Sequence, residues 1–263
     1  MSDDLAVHII DGGTMVVPRQ GIFQNGGPED LVIPVPSFLI RHPKGHVVFE
    51  GGNQLDVAAD PRGYWGPIAD VFKVHMEPEQ HVRAQVEALD VDPEEVRYVI
   101  VSHLHLDHTG SIGHFPNAEF LIHRKEWEYA HGPEWFSAAV YMPQDFDRPT
   151  KWTYLDLDEA VPEYDLYGDG TIKIVFTPGH SHGHMSVVAG LQKEPLILAG
   201  DAIDAQAHYD EEVMPGWYVD GSAVVRSLAR LKGHQERLGG ALVIYGHDIE
   251  QWPSLKVGKA SYA

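Results

Sequence analysis

One stretch narrows what this chain can become more than any other: Ser102-His103-Leu104-His105-Leu106-Asp107-His108-Thr109-Gly110. Three imidazoles and a carboxylate fall in the pattern H-x-H-x-D-H. The apolar run Tyr98-Val99-Ile100-Val101 leads directly into it and reads as a buried strand. A loop leaving such a strand is fixed at its base and open to a ligand at its tip. His and Asp offer the nitrogen and oxygen donors that hold divalent transition metals. With 17 His and 39 Asp+Glu among 263 residues, chance supplies about 0.01 such matches. The competing reading, a His-rich surface turn, loses ground as further donors appear along the chain.

Three other segments share the layout. Thr177-Pro178-Gly179-His180-Ser181-His182-Gly183-His184 follows an apolar strand pattern at 171–177. Ala199-Gly200-Asp201 follows one at 196–199, and Tyr245-Gly246-His247-Asp248 one at 241–245. Each places a His or Asp just past a strand end and beside glycine, which lets backbones approach closely. Gathered on one edge, the set is His103, His105, Asp107, His108, His180, Asp201 and His247. These are too many donors for one tetrahedral zinc and suit two cations sharing a carboxylate.

Composition sharpens that reading. The chain has 0 Cys, so thiolate chemistry and disulfides are excluded and any metal must rest on His, Asp or Glu. The net charge of −20 argues against DNA, RNA or an acidic membrane as partner, and bound cations would offset part of it. An apolar fraction of 43% is ordinary for a globular core. The acidic start Met1-Ser2-Asp3-Asp4 has no basic segment leading into an apolar one, so no secretory signal is expected. No apolar run approaches the ~20 residues of a membrane span. The expectation is a soluble, cytoplasmic protein.

Taken in order, residues 5–10 and 14–17 read as two short strands around Asp11-Gly12-Gly13, and 18–30 as a loop carrying Phe23. A hairpin follows at 32–40 and 46–50, with Pro34 and Pro36 placing its first strand on an edge or at a bend. The long connection 54–77 carries Tyr64, Trp65, Phe72 and Met76. Helices are predicted over 79–89, 110–115, 125–131 and 222–238, the last with Val225, Leu228 and Leu231 inward. Further strands are predicted at 119–123, 152–155 and 185–189. Pro133, Pro143 and Pro149 forbid a long helix over 132–150. Trp135, Phe136, Tyr141, Met142 and Phe146 give that segment an apolar face, which reads as a cap over a site or as a homodimer contact. Without repeats or linkers, residues 1–263 read as one domain of two β-sheets with helices outside.

The pattern H-x-H-x-D-H, then T-P-G-H, then Asp after a strand, then G-H-D resembles the metallo-β-lactamase superfamily. Gly246-His247-Asp248-Ile249-Glu250-Gln251 resembles its N-acyl homoserine lactonases in particular. Ile33-Pro34-Val35-Pro36, Asp60-Pro61-Arg62-Gly63, His114-Phe115-Pro116-Asn117 and Tyr167-Gly168-Asp169-Gly170 resemble the branch that includes butyrolactone-opening enzymes. The resemblance spans nearly the whole chain. It implies an α+β fold, a four-layer αββα sandwich. It implies two divalent ions, zinc first, with manganese, iron or cobalt as alternatives. One ion would sit on His103, His105 and His180, the other on Asp107, His108 and His247, with Asp201 bridging. His182 and His184 would be neighbours rather than ligands.

The function so implied is a quorum-quenching lactonase. A metal-bridging hydroxide would attack the lactone carbonyl of an N-acyl homoserine lactone, with Asp107 carrying the proton to the leaving oxygen. Phe23, Trp65, Trp135, Phe136 and Tyr141 are the candidates for holding the acyl tail. Two positions depart from the family pattern. Asp204 stands where many of these lactonases carry a Tyr that bonds the substrate carbonyl. An ionised carboxylate there would repel an oxyanion, so Asp204 must be protonated, turned away or used differently. Tyr209 is the candidate stand-in. Glu50 replaces the usual Asp before Gly-Gly. Rival readings on the same fold are a γ-butyrolactone or other ester hydrolase and a thioesterase of the glyoxalase II kind. The negative charge opposes an RNA phosphodiesterase, and Asp201 opposes an iron-only redox protein. From a different class comes a metal-stabilised binding protein without turnover.

Overall fold

Period-two alternation of apolar side chains builds two sheets that share one interior. The computed structural model describes residues 5–263; the acidic start at Met1–Asp4 lies outside them. The first sheet contains β1 (Ala6–Pro18), β2 (Asp30–Arg41), β3 (His46–Phe49), β4 (Lys73–His75), β5 (Val96–Ile100), β6 (Glu119–His123) and β7 (Trp152–Leu155). Their order across the sheet is β4-β1-β2-β3-β5-β6-β7. The second contains β8 (Glu163–Asp165), β9 (Ile172–Phe176), β10 (Met185–Ala189), β11 (Leu196–Leu198) and β12 (Leu242–Ile244), in the order β12-β11-β10-β9-β8.

Ile172, Ile174 and Phe176 of β9 and Leu196 and Leu198 of β11 face Phe38, Ile40, Phe49 and Ile100 of the first sheet. This apolar slab is the middle of the sandwich. The alternate residues face outward. Val99 and Phe120 pack with Val82 and Val86 of the helix Val82–Ala88 and with Ala130 of the helix Arg124–Ala130. On the other side Val175, Ile197 and Val243 pack with Leu231 of the helix Gly221–Arg237. The result is helix, sheet, sheet, helix, the α+β layering expected. Among the described residues no helix is long and apolar enough to cross a membrane.

Several local expectations are corrected. The two short N-terminal strands are one, β1, whose pairing with β2 shifts register between Asp11 and Thr14. Pro34 and Pro36 are not on an edge, because β2 lies between β1 and β3. They pair with Thr14 and Asp11 on either side of that irregularity, where an extra residue already interrupts the ladder and a missing N–H costs little. Residues 110–115 form turns rather than a helix. In the last helix Val225 is 57% exposed, and its neighbour Val224 is buried instead. The short strands β4 and β8 and the helix Gln206–Asp210 lacked a sequence signal.

Direction decides where the site forms. β11 runs parallel to β12, and β9 and β11 both run antiparallel to β10. The C-terminal ends of β9, β11 and β12 therefore share one edge of the second sheet.

Candidate metal centre

Asp201 lies at the centre of the cluster. Its Oδ2 is 3.4 Å from His180 Nε2 and 3.8 Å from His103 Nε2. Its Oδ1 is 3.3 Å from His108 Nε2 and 3.2 Å from His247 Nε2. One carboxylate thus divides two groups of histidines. On the first side His105 Nδ1 stands 2.9 Å from His180 Nε2. On the second, the Asp107 oxygens stand 3.6 Å from His108 Nε2 and 3.7 Å from His247 Nε2. All seven residues, expected from four separate segments, are buried and within reach of one another.

The imidazoles are aimed by partners at their other nitrogens. His108 Nδ1 meets Glu50 Oε2 at 2.9 Å, so the Glu at this position does reach the ring. His247 Nδ1 donates to the Pro34 carbonyl at 2.9 Å, and His103 Nδ1 lies 2.8 Å from Ser102 Oγ. Such partners fix which nitrogen faces a metal. His184 is turned to Thr177 Oγ1 at 2.9 Å and stays outside the cluster. A further buried acid, Glu126, accepts from the Leu104 N–H at 3.1 Å and the Gly183 N–H at 3.2 Å. It joins the loop of His103 and His105 to the loop of His180. Sequence reading passed it over, since a Glu in a helix's first turn looks like any solvent-facing residue.

The donor set suits cations. Tetrahedral donors about 2.1 Å from an ion stand about 3.4 Å apart, and the separations above centre on that value. His103 Nε2, His108 Nε2, Asp201 Oδ1 and Asp204 Oδ1 are buried without a hydrogen-bond partner. Buried polar atoms are normally satisfied, and the convergence of these fits the donor set of a cation. Burial, with His108 alongside, lowers the pKa of His103 far below the usual imidazole range; burial takes His105 and His180 down to about 3. Neutral imidazole is the form that ligates metal. For His247 burial pulls the same way, but the Asp201 carboxylate outweighs it and lifts the ring to about 10.

A cavity of about 240 Å³ opens onto the cluster. His105, Asp107, His180, Asp201, Asp204 and His247 form its polar lining, and Met15, Val17, Ile33, Leu106, Phe136 and Trp217 are among its apolar residues. Asp204 is not turned away: it lies on this wall, 3% exposed. Burial first, and then the Asp201 carboxylate, push its carboxyl well above the ordinary range.

The other candidate contacts divide. Phe136 lines the cavity, half exposed at 49%. Trp135 is 89% exposed and rests edge-on against Phe136. Tyr141 is off the wall, because its ring packs edge-on to His105 and its hydroxyl donates to Glu126 Oε1 at 3.2 Å. Trp65 is buried in the apolar cluster that includes Met15, Val17 and Ile33. Phe23 packs at a tilt against His208 with ring centroids 5.1 Å apart. Tyr209 does not replace the family tyrosine. It packs with Leu231 and donates its hydroxyl to Gln235 Oε1 at 2.7 Å, which occupies both its apolar face and its polar tip. Trp217 on the cavity wall went unforeseen; nothing around Pro215-Gly216 marks it in sequence.

Comparison with known proteins accords with this geometry. Residues 31–247 match the family described as the Metallo-beta-lactamase superfamily. The N-acyl homoserine lactonase AttM of Azorhizobium caulinodans is 45% identical over 98% of this chain and 99% of its own. The AttM lactonase of Agrobacterium fabrum is 43% identical over 99% of both. A solved N-acyl homoserine lactone hydrolase, with N-hexanoyl-L-homoserine bound at its catalytic metal center, superposes with a TM-score of 0.87. It is 23% identical, covering 99% of this chain and 100% of that one, and shows the shared fold. This chain belongs to the metallo-beta-lactamase superfamily and, within it, to the family of the N-acyl homoserine lactonases.

Proposed function

We propose that this protein is a quorum-quenching lactonase, a metal-dependent hydrolase that opens the ring of N-acyl homoserine lactones. One observation carries the reading. The two oxygens of Asp201 are shared between two histidine groups, at the polar end of an otherwise apolar cavity. The activity named for relatives 43–45% identical over the full chain supports it.

In this reading His103, His105 and His180 would hold one divalent ion and Asp107, His108 and His247 the other, with Asp201 available to both. Zinc suits the nitrogen-rich, cysteine-free set. Two such ions, when bound, would supply Lewis acidity that lowers the pKa of water toward neutrality and polarises a carbonyl. The chain does the rest. Met15, Val17, Ile33 and Leu106 take the acyl tail and exclude bulk water, each buried methylene contributing about 0.8 kcal/mol. The lactone ring is thereby left against the polar lining. Water adds to its carbonyl carbon and the ring C–O bond breaks. The Asp107 carboxylate takes the water's proton and returns it to the departing oxygen.

Ring opening of N-hexanoyl homoserine lactone by the metal-loaded protein, followed by proton release, tests this. Asp107→Asn and His108→Ala are expected to lower kcat/KM by about 100-fold or more. Unimpaired turnover in both variants, or faster hydrolysis of a glutathione thioester than of the lactone, would overturn the proposal.

A further inference from the structure

The acid at position 204 is unexplained by anything else it touches. One of its oxygens, Oδ1, is buried without a partner, and the other is 3.8 Å from His208 Nε2, outside hydrogen-bond reach. His208 gives its Nδ1 to the Val213 carbonyl at 2.7 Å and packs against Phe23, while its Nε2, which faces Asp204, is likewise buried without a partner. The backbone at this point is fixed to the cluster: the Asp204 carbonyl accepts from the His247 N–H at 2.9 Å, and the Ile203 carbonyl from the Gly246 N–H at 3.0 Å. A carboxylate donor atom of Asp204 lies within 4.8 Å of those of both His180 and Asp201.

Two carboxylates in a buried space repel unless one keeps a proton or a cation lies between them. Among the described residues no Lys or Arg lines the cavity. We propose that Asp204 is a direct ligand of the cation shared by His180 and Asp201, adding a second carboxylate to that ion. The inference rests on the proposed dinuclear site and says something more specific about it. Added oxygen donors make the set harder and raise the ion's coordination number, which favours manganese, iron or cobalt more than a purely four-coordinate site would. The group that would have repelled a developing oxyanion is then neutralised by the ion, so it no longer opposes ester hydrolysis.

Cobalt is the probe. Protein stripped by dialysis against chelator would be titrated with Co²⁺ as wild type, Asp204→Ala and Asp204→Asn, with far-UV circular dichroism checking that each stripped form is folded. Cobalt stoichiometry, affinity in competition with a chromophoric chelator, and the visible ligand-field spectrum are read together. Loss of the ligand is expected to weaken one of two cobalt sites about tenfold or more. It is also expected to intensify the visible bands, since cobalt absorbs more strongly as its coordination number falls toward four. The Asn variant keeps the side chain's shape and is expected to move the same way, by less. Affinities and spectra identical to wild type would overturn the proposal and leave the dinuclear site standing. Weaker binding with an unchanged spectrum would also overturn it, since Asp204 would then act from outside the coordination sphere. Wild-type protein that binds no cobalt would overturn the dinuclear reading itself.

Discussion

Glu126 has no exposed surface and is not one of the seven candidate ligands, yet both histidine loops hang from it. Removing its carboxyl strands the buried Leu104 and Gly183 N–H groups. Each stranded donor costs about 1–3 kcal/mol. Glu126→Ala is therefore expected to melt roughly 5–15 °C below wild type and to retain less metal through dialysis. Glu126→Gln keeps one acceptor oxygen and should fall between the two. Equal melting temperatures for Ala and wild type would show the carboxyl to be dispensable. Glu50 makes a second case. Its φ of 64° is in the left-handed region that a Glu rarely occupies, and the turn there carries its carboxylate to His108 Nδ1. Exchanging the charge for an amide in Glu50→Gln is expected to weaken one metal site about 10- to 100-fold. Metal competition titrations check it; two sites of unchanged affinity would contradict it.

The elements meet at close approaches that tolerate little addition. At Gly183 a Cβ would overlap the Glu126 backbone, where the His180 loop crosses the start of the helix Arg124–Ala130. Gly183→Ala forces loop and helix apart, an overpacking that typically costs about 1–3 kcal/mol. The variant is expected to melt several degrees lower and to bind metal more weakly, with its helical content unchanged; a wild-type melt would refute the contact. How far sequence reaches can be judged on this same scale. The donors were readable because each follows an apolar strand within a few residues, and strand ends are local signals. Most of the cavity wall was not: Phe136 was singled out, but Met15, Val17, Ile33 and Trp217 come from segments that only tertiary packing brings together. Pro34 announced a missing ladder donor, but not that the register irregularity in β1 would make room for it inside the sheet. In the helix Gly221–Arg237, Val224 and Val225 are both apolar and adjacent. Periodicity allowed either to face inward; contact with Gly179, where a Cβ would crowd Val224, selects Val224.

Across the whole molecule, ions would couple parts that the chain keeps far apart. His108 and His247 are 139 residues apart in sequence and belong to loops of different sheets. A cation gripped by both cross-links the sandwich at one end, and only in the folded state, since the unfolded chain does not assemble the donors. Binding to the native form alone stabilises it by about 4 kcal/mol at a thousandfold excess over Kd. In a chain of this size that raises the melting temperature by roughly 8–16 °C. The net charge of −20 adds a diffuse repulsion that any salt would screen, so the specific effect must be separated from it. Chelator-treated protein is expected to melt about 10 °C below the loaded form in 0.15 M sodium chloride. Micromolar zinc should restore the difference, whereas further sodium chloride should not. If salt alone recovered the loss, the cluster would be acting as a patch of negative charge rather than as a cross-link between the sheets.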